Sequence, residues 1–266
     1  MRYLTIALLL VFTQAVSSQQ FRTLCSDGIK HIADRHYDKA AECFRKATEL
    51  GSTDQERTYA FANLAYSQHM CGDLHKALKS YNSAIGDDTG KIALMLQRAN
   101  ILVQIDSLDK ALEDYNNILK KEPTNSSALF FRACIYSEIN EFSKAKADYM
   151  KLLSIEPENN NVKLGLAMLY KKEGKYNESL TLLTLLIESS PQTAEYYIAR
   201  SDVERLMGQL EIALMDVEKA IELEPENVNH HTLQGILYEE LGRTSAARKS
   251  RIEVARLKNV KNGEKE

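Results

Sequence analysis

A chain of 266 residues, 44% hydrophobic and 27% charged, is long enough for one large or two small folded bodies. Its formal charge of −3 argues against a nucleic-acid footprint or a strongly acidic partner. With no tryptophan, eleven glycines and four prolines, the composition favours an all-helical chain over a turn-rich β protein.

The first element is a targeting segment. Arg2 supplies a positive start, and the run Leu4 to Val16 is apolar apart from Thr5, Thr13 and Gln14. Small residues Ala15, Ser17 and Ser18 follow, so residues 1–18 are expected to be a cleavable secretory signal, cut after Ser17 or Ser18. The run is shorter than the about 20 apolar residues that a membrane-spanning helix needs. A secreted or periplasmic protein without a membrane span is the expectation.

The rest of the chain is periodic. Pro123, Pro157, Pro191 and Pro225 stand 34 residues apart, which marks a repeat architecture. Gly72, Gly174, Gly208 and Gly242 keep the same period. The two intervening places hold Asp106 and Asn140, which also accept the left-handed conformation that ends a helix. Each unit therefore carries a helix stop at its middle and a breaker at its end. One column of small residues runs through Gly28, Ala65, Ala99, Ala133, Ala167, Ser201 and Gly235. A second, twelve residues later, holds Ala40, Ala77, Ala111, Ala145, Ser179, Ala213 and Ala247. Small side chains at facing places let two helices pack closely. Larger residues surround them: Tyr136, Tyr170 and Tyr238 in the first helix, and Phe44, Tyr81, Tyr115 and Tyr149 in the second.

In chain order the units are 21–57, 58–91, 92–125, 126–159, 160–193, 194–227 and 228–261, making a repeat region over 19–261 before a polar tail at 262–266. The step from the first unit to the second is longer by three residues around Gly51 to Arg57, and Arg35 stands where the first helix stop belongs. This small–small–aromatic–proline pattern resembles the tetratricopeptide repeat, most clearly from Ala194 to Asn227 with Tyr197, Gly208, Ala213, Ala220 and Pro225. The resemblance implies an all-α, right-handed superhelical solenoid of seven helix-turn-helix units. The early tryptophan of the family is replaced by Leu24, Phe61, Met95, Leu129 and Tyr197, and less closely by Lys163 and His231. In the last unit Arg251 sits among Arg248, Lys249, Arg256, Lys258 and Lys261. A terminal helix has no following unit to cover it, so this run is read as a solvated cap rather than a nucleic-acid or anionic-surface site.

No spacing assembles chemistry, and the chain is expected to be no enzyme, with no cofactor and no metal. Gly86-Asp87-Asp88-Thr89-Gly90-Lys91 glances at a phosphate loop but is one residue short, with Ile92 where a magnesium-binding hydroxyl belongs. His230 and His231 are adjacent on a helix and point about 100° apart. The other four histidines, His31, His36, His69 and His75, lack the four-residue spacing of helical ligand pairs. Sequons at Asn125 and Asn177 fall in predicted turns. Of Cys25, Cys43, Cys71 and Cys134, free buried thiols are the favoured reading; should a bridge form, Cys43–Cys71 is the one pair near enough.

One charged constellation keeps a strict spacing. Arg98 and Asp114, Arg132 and Asp148, and Arg200 and Asp216 are each sixteen residues apart at the same places of three units. They are read as interhelical salt bridges rather than ligand anchors, because a lone member would leave a partly buried charge unpaired. Opposite the small column, the first helices carry Tyr59, Tyr66, His69 and Met70, then Leu96 and Asn100, then Phe130 and Cys134. Farther along that side turns charged, with Lys171, Lys172, Glu195, Asp202, Arg205 and Glu239. In the family that side lines a concave groove, and the resemblance implies a scaffold binding a protein or peptide there. A groove for a glycan, lipid or other small molecule in a transport or surface-assembly system is the second reading. No nucleic acid is expected as a partner.

Overall fold

The computed structural model describes the backbone of residues 2–88 and 90–263 and the side chains of residues 16–88 and 90–260. Among them there is no strand. The helices are α1 (Arg2–Ala33), α2 (Tyr37–Leu50), α3 (Asp54–Met70), α4 (Leu74–Ile85), α5 (Ile92–Gln104), α6 (Leu108–Lys121), α7 (Ser126–Glu138), α8 (Phe142–Ile155), α9 (Asn160–Lys172), α10 (Tyr176–Ser189), α11 (Ala194–Leu206), α12 (Leu210–Leu223), α13 (Val228–Glu240) and α14 (Thr244–Gly263). They fall into two compact units, Met1–Phe131 and Arg132–Glu266. The apolar run of the expected signal lies almost wholly outside the described side chains.

One residue at positive φ makes the turn inside every helix pair: Arg35 (58°), Gly72 (82°), Asp106 (57°), Asn140 (63°), Gly174 (78°), Gly208 (75°) and Gly242 (71°). The next residue donates its N–H to the carbonyl five places back, as Asp73 does to Gln68 and Gln209 to Glu204, both at 2.9 Å. That bond satisfies a carbonyl which the helix end would otherwise leave orphaned. Arg35 takes the same conformation without glycine's freedom, at a cost of about 1 kcal/mol. The bonds from Arg35 to Ile32 (3.0 Å) and from His36 to His31 (2.8 Å) hold it there.

Three junctions between pairs use a device spelled Glu-Pro-x-Asn. The carbonyls of Glu122, Glu156 and Glu224 accept the N–H of Asn125, Asn159 and Asn227 at 3.0, 3.1 and 3.1 Å, across a proline that presets the turn. The asparagine amide then donates to the glutamate carboxylate at 2.7, 2.6 and 2.8 Å. Its carbonyl oxygen accepts from the backbone of Ala128, Val162 or Asn229, capping the next helix. At Ser190-Pro191-Gln192-Thr193 the turn remains, but the side-chain cap is lost. The three extra residues after the first pair, and one residue of the connection, go into α3, which has 17 residues where α5 has 13. It starts on a capping box, Thr53 with Glu56, visible in the sequence as Thr-x-x-Glu.

Both small columns are buried. Their contact is direct where Ser179 Oγ donates to the Ala167 carbonyl at 2.8 Å. Tightest of all is Gly28, where a Cβ would lie 2.7 Å from the Phe44 ring. Phe44, Tyr81, Tyr115 and Tyr149 fill the space beside these columns. The replacements for the early tryptophan divide by chemistry. Met95 and Leu129 are buried apolar plugs, while the Tyr197 hydroxyl donates to the Pro191 carbonyl at 3.1 Å. One repeat later His231 Nε2 reaches the Pro225 carbonyl at 2.8 Å, so the imidazole takes the tyrosine's part. Lys163 instead turns to Glu158 at 2.9 Å.

One expectation is corrected. Asn177 lies in the first turn of α10, not in a loop, and its sequon partner Ser179 is buried. All four cysteines are free thiols, the favoured reading, and no Cys43–Cys71 bridge is present; Cys25 is buried, Cys43 and Cys134 are half-buried and Cys71 is exposed. Burial raises the thiol pKa of Cys25 to about 11.

Candidate functional site

In the first unit the first-helix side is aromatic and open. Tyr59 is 44% exposed, Tyr66 37% and Met70 44%. Their inner edges are held by other rings: Tyr59 stands edge-on to Phe44 at 6.5 Å and Tyr66 edge-on to Tyr37 at 6.3 Å. Such contacts fix a ring without covering its outer face. His69 meets Gln104 at 3.1 Å, tying α3 to α5. Asn100 accepts the Tyr115 hydroxyl at 3.0 Å, and Leu96 is half-buried. Phe130 is half-buried too; the exposure expected of it belongs to Phe131, which stacks on Tyr115 at 6.3 Å. Ile29 and Val103 are exposed as well. Ile29 holds the place of Tyr66 in its unit and Val103 the place of His69, so repeat counting alone could have found them.

In the second unit Lys171, Lys172, Asp202 and Arg205 are each held in a pair with another repeat. Lys171 Nζ lies 3.3 Å from Asp202 on α11, and Arg205 Nε donates to Glu240 on α13 at 2.9 Å. Lys172 Nζ donates to the Glu138 carbonyl at 3.1 Å. These pairs bridge the first helices of successive repeats. Cys134 Sγ and the Tyr149 hydroxyl lie 3.3 Å apart.

Each arginine of the sixteen-residue pairs grips its aspartate with two donors. Arg98 Nε and Nη2 reach Asp114 at 2.8 and 2.5 Å, Arg132 reaches Asp148 at 2.7 Å twice, and Arg200 reaches Asp216 at 2.7 and 2.8 Å. The remaining nitrogen can look the other way. Arg98 Nη1 donates to Asn82 Oδ1 on α4 at 2.9 Å, and Arg200 Nη1 to Thr184 Oγ1 on α10 at 3.3 Å. One guanidinium thus staples its own repeat to the preceding one. In the last repeat Gln234 and Ser250 keep the sixteen-residue spacing with a neutral bond of 2.8 Å. Near the second staple sits Glu204, buried, with one oxygen unpartnered and the other 3.9 Å from Arg200. Burial, and then the Asp216 charge, raise its pKa to about 7.

A cavity of about 450 Å³ lies over the first staple, lined by Leu78, Asn82, Met95, Arg98 and Asp114 among others. Among the described residues no group of three His, Cys, Asp or Glu could hold a metal ion. Nor, among them, is any helix long and apolar enough to cross a membrane.

Two tetratricopeptide-repeat family models match the chain, at residues 140–203 and 194–227. No curated protein sequence matches it. A solved tetratricopeptide repeat protein from Parabacteroides merdae is similar at 26% identity and TM-score 0.80, over 90% of this chain and 93% of that one. PilW, a type IV pilus biogenesis factor, superposes at TM-score 0.65 and 19% identity, over 74% of this chain and 91% of its own. The C-terminal part of a repeat protein from Cytophaga hutchinsonii does so at 0.65 and 15%, over 89% and 95%. The chain carries tetratricopeptide repeats, detected across residues 140–227, and its fold of helix–turn–helix units is that of solved tetratricopeptide-repeat solenoids, an architecture of protein-interaction scaffolds.

Proposed function

We propose that this protein is a non-catalytic scaffold that binds a protein or peptide segment outside the cytoplasm, through the first-helix side of its first unit. The observation that carries this reading is the exposed set Tyr59, Tyr66 and Met70 on α3, with both tyrosine rings backed by other rings. Large apolar side chains left open together on a soluble fold are a binding signal. Rings already fixed by neighbours lose little further freedom when a partner covers them. Binding needs no chemistry beyond apolar anchoring and hydrogen bonds to polar groups beside it such as Gln104 and His69.

The export reading has support from packing. The first buried residue described in α1 is Phe21, followed by Cys25, whereas Val16 is exposed. Cleavage after Ser17 or Ser18 therefore removes none of the described core.

A photo-crosslinking residue at position 66, in the chain expressed in its native host, tests the binding face. A single adduct identified by mass spectrometry, lost in a chain also carrying Tyr59→Ala and Met70→Ala with unchanged helicity, is the expected result. Anchors of this kind are each worth about 2 kcal/mol of binding. An adduct that survives both substitutions would move the site elsewhere. N-terminal sequencing of the exported chain, expected to begin at Ser18 or Gln19, tests compartment and cleavage together.

A further inference from the structure

The outward faces of two neighbouring second helices in the last two repeats carry opposite chemistry. On α12 the exposed residues include Ile212, Met215, Glu218 and Glu222. On α14 they include Arg248, Lys249, Ile252, Arg256 and Lys258. Met215 and Ile252, at 67% and 61%, are more open than the other large apolar side chains described. The α13 helix packs against both helices, and α12 is fixed beside it by Tyr238, whose hydroxyl donates to Glu218 at 3.0 Å, and by Arg243, which donates to Glu211 at 2.6 Å. By the 34-residue period Met215 and Lys249, Glu218 and Ile252, and Glu222 and Arg256 hold equivalent places. An acidic face around an apolar residue therefore lies one repeat away from a basic face around another.

We propose that these two faces together form a self-complementary docking surface for a second copy of this chain, with α12 of each copy against α14 of the other. A two-fold axis running between the helices and along them lays α12 over α14 of the second copy at equal height, and symmetry repeats the contact. Glu222 then comes level with Arg256 of the second copy, and Glu218 lies between that arginine and Lys249. Met215 and Ile252 of the second copy are offset by three residues, about 4.5 Å along the axis, which two flexible side chains span. The present partners do not compete strongly. Glu222 pairs with Lys219 and Arg256 with Glu253 on their own helices, in exposed contacts worth little. Arg248, Lys249 and Lys258 have no charged partner among the described residues. A basic helix by itself would suit an anionic lipid surface or a nucleic acid, but the glutamates of α12 beside it repel both. A surface with the same two signs in reversed order answers this one, and the chain supplies it.

The test is sedimentation velocity on the exported, processed chain up to ~100 μM, with two double variants. Glu218→Lys with Glu222→Lys makes both faces basic; Lys249→Glu with Arg256→Glu makes both acidic. Wild type is expected to move from the monomer to twice the monomer mass with rising concentration, more weakly in high salt. Each variant alone should self-associate at least about tenfold more weakly, since like charges then oppose. An equimolar mixture should recover the dimer, because every contact becomes complementary again. Circular dichroism confirms that both variants stay helical, and neither changes a buried residue. A wild type that stays monomeric overturns the proposal, as do variants that dimerise like wild type or a mixture that does not recover. Binding to anionic vesicles or duplex DNA without dimer formation would overturn it too.

Discussion

Replacing Arg132 by alanine is the most direct measure of what the guanidinium staples contribute. Arg132 gives Asp148 two bonds of 2.7 Å, and the aspartate side chain is 7% exposed against 20% for the arginine. Truncation leaves a desolvated carboxylate with neither its counter-charge nor those two donors, which in a fully buried pair costs about 3–5 kcal/mol. Because the arginine edge still touches solvent, water can enter the gap, and we expect a loss of about 2–3 kcal/mol. Lys144→Ala is the control: its partner Glu141 is exposed at 3.2 Å, and such pairs contribute about 0.5 kcal/mol or less. Urea denaturation followed by circular dichroism reads both, as a shift of midpoint at unchanged slope. The combination Arg132→Met with Asp148→Leu should recover most of the loss, because apolar isosteres remove the stranded charge. A loss within 0.5 kcal/mol of the Lys144 control, or a double variant less stable than Arg132→Ala, would refute the reasoning.

Three further expectations rest on separate contacts. Gly28→Ala should cost about 1–3 kcal/mol, since the new methyl meets the Phe44 ring at 2.7 Å, whereas Gly235→Ala meets Ser250 at an ordinary 3.5 Å and should be neutral or gain up to about 1 kcal/mol; equal melting temperatures would contradict this. Arg35→Gly should stabilise by about 1 kcal/mol, because glycine holds a φ of 58° without strain, and an unfolding midpoint below wild type would count against it. Glu204 titrates near pH 7 when folded against an ordinary 4.5. The folded chain thus keeps a proton that the unfolded chain has lost over that window. Its contribution is most favourable below about 4.5 and falls as pH rises from there to 7, by on the order of 3 kcal/mol. Glu204→Gln should flatten stability between pH 5 and 8 and raise it at pH 8; a variant with wild-type slope would exclude this carboxyl as the cause.

What the sequence determined by itself are the features fixed within one helix pair. Proline and helix-stop spacing set where helices end, and the two small columns set which faces meet, since both depend on residues a few turns apart along the chain. The turn at Arg35 shows the limit of that logic. Its residue type argues against a left-handed stop, yet the hydrogen bonds on either side impose one, at a local cost that packing of α1 against α2 offsets. The Glu-Pro-x-Asn junctions and the capping box before α3 are also local devices, but proline spacing alone gave neither, and their hydrogen bonds came from the structure. Tertiary structure decided everything that turns on the neighbouring repeat. Phe131 rather than Phe130 faces outward because Tyr115 offers its ring a stacking partner. Lys171, Asp202 and Arg205 neutralise side chains one repeat away, and Arg98 and Arg200 reach backward as well as forward. Stacking brings residues 31 to 35 positions apart to between 2.9 and 3.3 Å, and which of them touch depends on helix heights and rotations that no single-repeat pattern encodes.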